Sequence, residues 1–280
     1  MSRKIAWVTD STIYLDEELK SNPDVYCVPM IVCVGEEQYE DGIDITMDDL
    51  FEKMRNSSLT VTTSQPSPGQ FITLFKKLEE GYDEIVGLFV SSDLSGTFSS
   101  AKQAVEHTKI PVHIIDSRIL SYPLTKLLKY AISLREKEIA TISILEQVEQ
   151  RINQHETYVL IGDLKQLHRS GRMSGTQFYL GSLLKIKPVI SVADGKLSVI
   201  EKARSEKRAQ DFILNKIRDA RTQHSIKEVA ILYSLNQEKS LEFQSYIKQQ
   251  VEEIEVHLLP LCTTIAVHTG EDVVGISWVL

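Results

Sequence analysis

Short apolar runs alternate with amphipathic, well-capped segments through the first half of the chain, and this alternation limits the fold more than any other feature. "IAWVTDS" reads as a buried strand entering a polar loop, and "VYCVPMIVCV", "EIVGLFVSS" and "VHIIDS" read as further strands. Between them lie helix signals. "TMDDLFEKMRN" opens on Thr46 as N-cap with acids in its first turn. "SPGQFITLFKKLEEG" has Ser67 at the N-cap, Pro68 at the first helical position and Gly81 past the end. "GTFSSAKQAVEHT" and "YPLTKLLKYAISLREKE" continue the series. Strands that alternate with helices pair in parallel, and helices then cover both faces. Residues 1–155 are expected to form a three-layer α/β/α domain.

The pattern changes in residues 156–280. "KPVISVADGKLSVIEKARS" holds two alternating runs around Asp194–Gly195, a hairpin signal. Helices "EKRAQDFILNKIRDA" and "QEKSLEFQSYIKQQV" alternate with strands "EVAILYS", "EVHLLPL" and "VVGISWVL". A hairpin beside βαβ units implies a mixed sheet with helices on one face, a two-layer α/β domain. "LKQLHRSGRMSGTQFYLGSLLKI" reads as helical with a break at Ser170–Gly171.

Composition narrows the function. The 280 residues are 42% hydrophobic and 25% charged, enough for a sizeable core. The net charge of −8 argues against non-specific nucleic-acid binding, which needs a basic face. Cys27, Cys33 and Cys262 are odd in number and form no CxxC, so no structural disulfide and a reducing compartment are expected, and Cys27 and Cys33, in an apolar run, are expected as buried thiols. No apolar run reaches the ~20 residues of a membrane span, and the first apolar run is too short for a signal peptide. A cytoplasmic location follows as the expectation. The seven histidines show no HxxxH or HExxH spacing, and neither GxGxxG nor a P-loop occurs. No metal and no cofactor are therefore expected.

Polar loops follow the strand ends: "TDST" (Asp10 and Ser11), "SSDLSGT" (Ser95 and Gly96) and "DSR", while "TTSQPS" (Thr62, Thr63 and Ser64) leads into its helix. Ligands of open parallel sheets sit beyond the carboxyl ends of the strands, where helix N-termini favour an anion. Taken singly, each loop reads as caps and turns. Together they suggest a ligand site rich in hydroxyls. GxSxG is absent, yet Ser95 before Gly96 at a helix start, with His268 elsewhere, leaves a serine-type esterase or thioesterase open.

Seven segments in order, "VTDSTIYL", "TTSQPSPGQF", "SSDLSGTFSSA", "IIDSR", "LKQLHRSGRMS", "GSLLKIKPVISVADGKL" and "HTGEDVVG", resemble the motif series of the DegV family across essentially the whole chain. The resemblance implies a bacterial fatty-acid-binding protein that is not itself an enzyme. It implies a FakB-like subunit, which holds a fatty acid while a separate FakA-like kinase subunit phosphorylates the carboxylate for phospholipid synthesis. Carried over residue by residue, Thr63, Ser95, Gly96 and His268 would hold the carboxylate. Thr62, Ser64, Asp10 and Ser11 would stand nearby.

Phe178, Leu180, Leu183, Leu184 and Ile190 are expected to line the acyl tunnel between the domains. Arg172, Lys185, Lys187, Arg204 and Lys207 are expected to dock the kinase. Transient contact with a membrane surface is a further expectation. A paralogue that holds another amphiphile without a kinase is the third alternative. Glu271–Asp272 stand where family members often have Pro–Gly, which would bring two acids near a carboxylate. "YPLTKLL" replaces a small-residue run and is expected to reshape the entrance.

The physical logic is direct. An apolar tail of about fifteen methylenes contributes ~12 kcal/mol gross at ~0.8 kcal/mol each. Neutral hydrogen bonds contribute ~1 kcal/mol each, so they orient the head group rather than drive binding.

Overall fold

The computed structural model describes residues 3–56, 60–161, 164–173 and 186–280. In chain order the first half holds β1 (Ile5–Asp10), α1 (Glu17–Ser21), β2 (Val25–Val28), β3 (Ile31–Val34), β4 (Glu37–Glu40), α2 (Met47–Asn56), β5 (Val61–Ser64) and α3 (Pro68–Leu78). Then come β6 (Glu84–Phe89), α4 (Thr97–Ala104), β7 (Val112–Asp116), α5 (Tyr122–Glu136) and α6 (Thr141–Arg151). The second half holds β8 (His155–Leu160), α7 (Lys165–Arg169), β9 (Lys187–Ala193), β10 (Lys196–Ala203) and α8 (Glu206–His224). It closes with β11 (Glu228–Tyr233), α9 (Glu238–Gln250), β12 (Glu255–Pro260), α10 (Thr263–Thr269) and β13 (Val274–Val279).

The chain forms the expected architecture. Strands β2-β1-β6-β7 make a parallel sheet. Every residue of β1 and β6 is buried, as a sheet covered on both faces requires. Alternation sends Trp7 to one face, with Leu124, Leu128 and Ile144 of α5 and α6. Ala6 and Val8 go to the other, with Phe71, Phe75 and Ala101 of α3 and α4. Helix α3 starts with a full capping box between Ser67 and Gln70 and Pro68 in its first turn.

The second sheet has the order β10-β9-β8-β13-β11-β12 and is mixed. Ile213, Ile217 and Phe243 of α8 and α9 cover one face. The opposite face carries Ile161, Ile190, Leu232 and Val273, which meet Leu261 and Ile265. The hairpin turns at Asp194 and Gly195, with φ of 48° and 80°, the conformation of a type I′ turn. Its tip docks on the first half, where the Ser91 hydroxyl donates to Gly195 O at 2.8 Å.

Three features differ from the sequence expectation. "VYCVPMIVCV" is two strands in two sheets. Pro29 carries no N–H for a ladder, so the run breaks there. The segment β3 joins β4 and β5 in a three-stranded antiparallel sheet. Ala266 and Val267 of α10 pack against this sheet with Val32, Val34 and Phe51, which tethers the end of the chain to the first half. Cys27 is exposed and Cys33 partly exposed, where buried thiols were expected. Among the described residues no helix is long and apolar enough to cross a membrane.

Candidate functional site

Thr63 lies on β5 opposite Val32 of β3. Strand alternation turns it inward and leaves Thr62 and Ser64 exposed on the other side. Ser95 follows β6 in the turn that starts α4. Its Oγ lies 2.8 Å from Thr97 Oγ1 and accepts the Thr97 N–H at 3.3 Å. Gly96 is the N-cap of α4, where a Cβ would come within 2.9 Å of the Gln65 side chain. His268 sits in the last turn of α10, which runs to Thr269.

These distant segments meet. His268 Nε2 lies 2.8 Å from Thr63 Oγ1. Thr63, Ser95 and His268 line one cavity with about 880 Å³ of unfilled space, part of it open to solvent. The remaining wall is largely apolar, with Met30, Leu94, Val159, Ile190, Leu197 and Leu232 among the lining residues. Thr12, Ser121 and Thr157 add hydroxyls. The cavity lies between the two sheets, on the face of the second sheet that carries no helix from α8 or α9. Thr157 and Ile161, four steps apart along β8 and its continuation, both line the cavity, which therefore follows the strand for about 13 Å.

The electrostatics are those of a neutral base near a cation. Burial, aided by the nearby Arg172 charge, lowers the His268 pKa to about 4, so the ring is neutral at pH 7. Its Nδ1 is buried with no partner among the described residues. Arg172 lines the cavity, half-buried, where desolvation lowers its pKa. Its Nε donates to Leu94 O at 3.2 Å and its Nη1 to Ser170 O at 2.5 Å. No carboxylate pairs with it among the described residues.

Other expected residues take other places. Asp10 is fully buried and accepts from Thr12 N, Thr12 Oγ1 and Val90 N at 3.0, 2.6 and 2.8 Å. It holds the loop from beneath, and burial raises its pKa against those bonds. Ser11 donates to Asp41 at 2.8 Å and accepts the Met30 N–H at 3.0 Å. Ile190 is buried in the cavity wall. Phe178, Leu180, Leu183, Leu184 and Lys185 lie outside the described residues.

Lys187, Arg204 and Lys207 are exposed. The β9–β10 register pairs Lys187 with Ala203, beside Arg204. Lys207 covers the Tyr246 ring at 3.3 Å from its centroid and pairs with Asp211 at 3.5 Å. Arg172 thus faces the cavity instead of joining that group on the surface.

Glu271 and Asp272 are engaged elsewhere. Glu271 pairs with Arg55 at 2.7 Å. Asp272 meets Asn236 at 3.0 Å and Lys239 at 3.2 Å. Burial raises the Asp272 pKa, but these partners outweigh it and the net shift is down. Of "YPLTKLL", Tyr122 packs in the core beside the cavity and Leu124 and Leu128 under the parallel sheet. Leu120 and Ser121, just before it, line the cavity. Ser121 has φ of 57°, a strained setting for a residue with a Cβ and a signal that sequence did not carry.

Glu228, Glu255 and His257 cluster on the neighbouring strands β11 and β12, with Lys126 at 2.5 Å from Glu228. None of them lines the cavity.

This arrangement defines a class: two α/β layers that enclose a largely apolar cavity whose wall also carries hydroxyls, an imidazole and a guanidinium. The chain belongs to the DegV family, whose model matches residues 4–280. It is 30% identical to a DegV domain-containing protein of Listeria innocua, over 99% of each chain. It is similar in structure to a fatty-acid-binding DegV family protein from Thermus thermophilus, with TM-score 0.88, 30% identity and coverage of 99% of this chain and 100% of that one. DegV from Bacillus subtilis, a fatty acid binding protein, aligns with TM-score 0.89, 28% identity and full coverage of both chains.

Proposed function

We propose that this chain binds a long-chain fatty acid and presents its carboxylate to a separate kinase subunit for acyl phosphate formation. One observation carries the reading: Thr63, Ser95 and His268, from three distant segments, line the same largely apolar cavity. The fatty-acid-binding relatives support it.

The chemistry follows from the groups present. A carboxylate taken from water needs several hydrogen bonds. In the tautomer that carries its proton on Nε2, neutral His268 donates to Thr63 Oγ1 and leaves the Thr63 hydroxyl proton for the ligand. Ser95 Oγ and the Gly96 N–H supply further donors. Arg172 supplies the positive charge that a neutral imidazole cannot. The tail occupies the apolar wall, from which burial of methylenes drives binding. Hydroxyl donors leave a carboxylate oxygen open for phosphoryl transfer at the mouth.

Lys187 and Arg204, with Lys207 nearby, form the basic surface proposed to dock an acidic partner, and such a patch acts mainly through association rate. The protein works in the cytoplasm in this reading, as a carrier without a cofactor of its own. The esterase alternative fits less well. A Ser–His pair needs its imidazole in contact with the nucleophile and oriented by a third group. Here His268 faces Thr63, and Ser95 bonds Thr97.

Native mass spectrometry of the purified protein, delipidated and then reloaded with oleate, tests the binding step. One acid per chain is expected. A chain that takes up no acid, or that hydrolyses an acyl ester with loss of turnover in Ser95→Ala, overturns the proposal.

A further inference from the structure

We propose that Asp41 is the positioning residue of this head-group site. It follows β4 and is 3% exposed, a carboxylate almost wholly removed from water. Its Oδ1 accepts the Thr263 N–H at 3.0 Å and the Thr263 hydroxyl at 2.5 Å. Its Oδ2 accepts the Ser11 hydroxyl at 2.8 Å. Its own N–H donates to Met30 O at 2.8 Å, and Met30 lines the cavity. One buried group therefore ties together the loop after β1, the start of β3 and the first residue of α10.

That last tie matters because α10 carries His268. The helix rests on the three-stranded sheet through Ala266 and Val267, apolar contacts that carry no hydrogen-bond direction of their own. The Asp41 bonds are directional, and a buried carboxylate that loses any of them is left short of partners. Five residues beyond Thr263, about 7.5 Å along the axis, His268 is held 2.8 Å from Thr63. Gln166 Nε2 donates to Val267 O, and Ser234 Oγ to Gly270 O at 2.7 Å, so the middle and end of α10 are held from the second half. Asp41 fixes its first residue, and with it the register in which the helix presents His268 to Thr63.

This inference rests on the fatty-acid reading for its ligand test, so the experiment has two readouts. The first is affinity for oleic acid and for oleyl alcohol, which share a tail and differ in the head group. Asp41→Ala is expected to weaken the acid by about tenfold or more and the alcohol by less than about threefold. Asp41→Asn, which keeps an acceptor for Thr263, is expected to restore most of the acid affinity. The second readout is the His268 ring resonance in the ligand-free protein, expected to move in Asp41→Ala while that of exposed His107 does not. Acid and alcohol affinities that fall together, or an unmoved His268 resonance, overturn the proposal. If Asp41→Ala does not fold, Thr263→Val removes one of the same bonds and is read in the same way. A wild-type protein that binds neither ligand refutes the fatty-acid reading, and the ring resonance still decides the role of Asp41.

Discussion

Acid should destabilise this protein through His268, and the size of the effect can be worked out. The ring has a pKa of about 4 in the folded chain, lowered first by burial and then by Arg172, against an ordinary value of 6.5. Between those values the unfolded chain holds a proton that the folded chain does not. The stabilising contribution of the neutral ring is therefore full above pH 6.5 and is lost as pH falls toward 4. From about pH 7.5 to about pH 5 the loss is about 2 kcal/mol, from 1.36 kcal/mol per pKa unit. Urea unfolding of the wild type and of His268→Gln at both pH values isolates the term. Gln cannot titrate, so the variant should lose about 2 kcal/mol less on acidification. His155 is held at about 4 by burial as well, so His155→Gln is the matched control. An equally steep pH dependence in His268→Gln would refute the reasoning, because it would mean the buried ring carries no proton linkage.

Three further outcomes are expected. Thr63→Val removes the hydroxyl between His268 and the ligand and should weaken oleate binding by about 1–3 kcal/mol, read by calorimetry against the alcohol. Gly275→Val should shorten the tunnel, because its Cβ would lie 3.1 Å from Leu232 Cβ and both residues line the cavity. Affinity for long acids should then fall about fourfold for each methylene excluded, at ~0.8 kcal/mol per group, while short acids bind as before. Gly195→Ala should lower stability by about 1–2 kcal/mol or more. The residue has φ of 80°, and a Cβ there would meet Ser91 Oγ at 2.6 Å, so the urea midpoint should drop.

Local signals were legible where local physics decides the conformation. Ser67, Pro68 and Gln70 begin α3 because cap and side chains satisfy the first N–H groups within a few residues. Asp194 and Gly195 make their turn because both tolerate positive φ. The loops after β1, β6 and β7 could be placed near one another because parallel strands deliver their ends to one side, whereas Thr63 reaches them from the antiparallel sheet. What stayed hidden depends on pairing across long stretches of chain. Nothing near "MIVCV" says that β3 leaves the parallel sheet to pair with β4 and β5.

Asp41 reads as a turn acid until Thr263 arrives from 222 residues away. Arg172 reads as a surface cation, and only the folded cavity shows where its guanidinium goes. His268 reads from sequence as one of several possible partners for Ser95, and only the resemblance gives it a place beside Thr63. Its partner Thr63 is 205 residues distant, and no spacing rule links them.

The most direct test uses oleate labelled with ¹³C at the carboxyl carbon. Bound to the wild type, it should give one carboxyl resonance, distinct from free acid, whose position stays constant across neutral pH. Thr63→Val and Ser95→Ala should each move that resonance, since each removes one donor to the labelled group. A label that titrates like acid in solution, or that ignores both substitutions, would place the head group elsewhere and contradict the account.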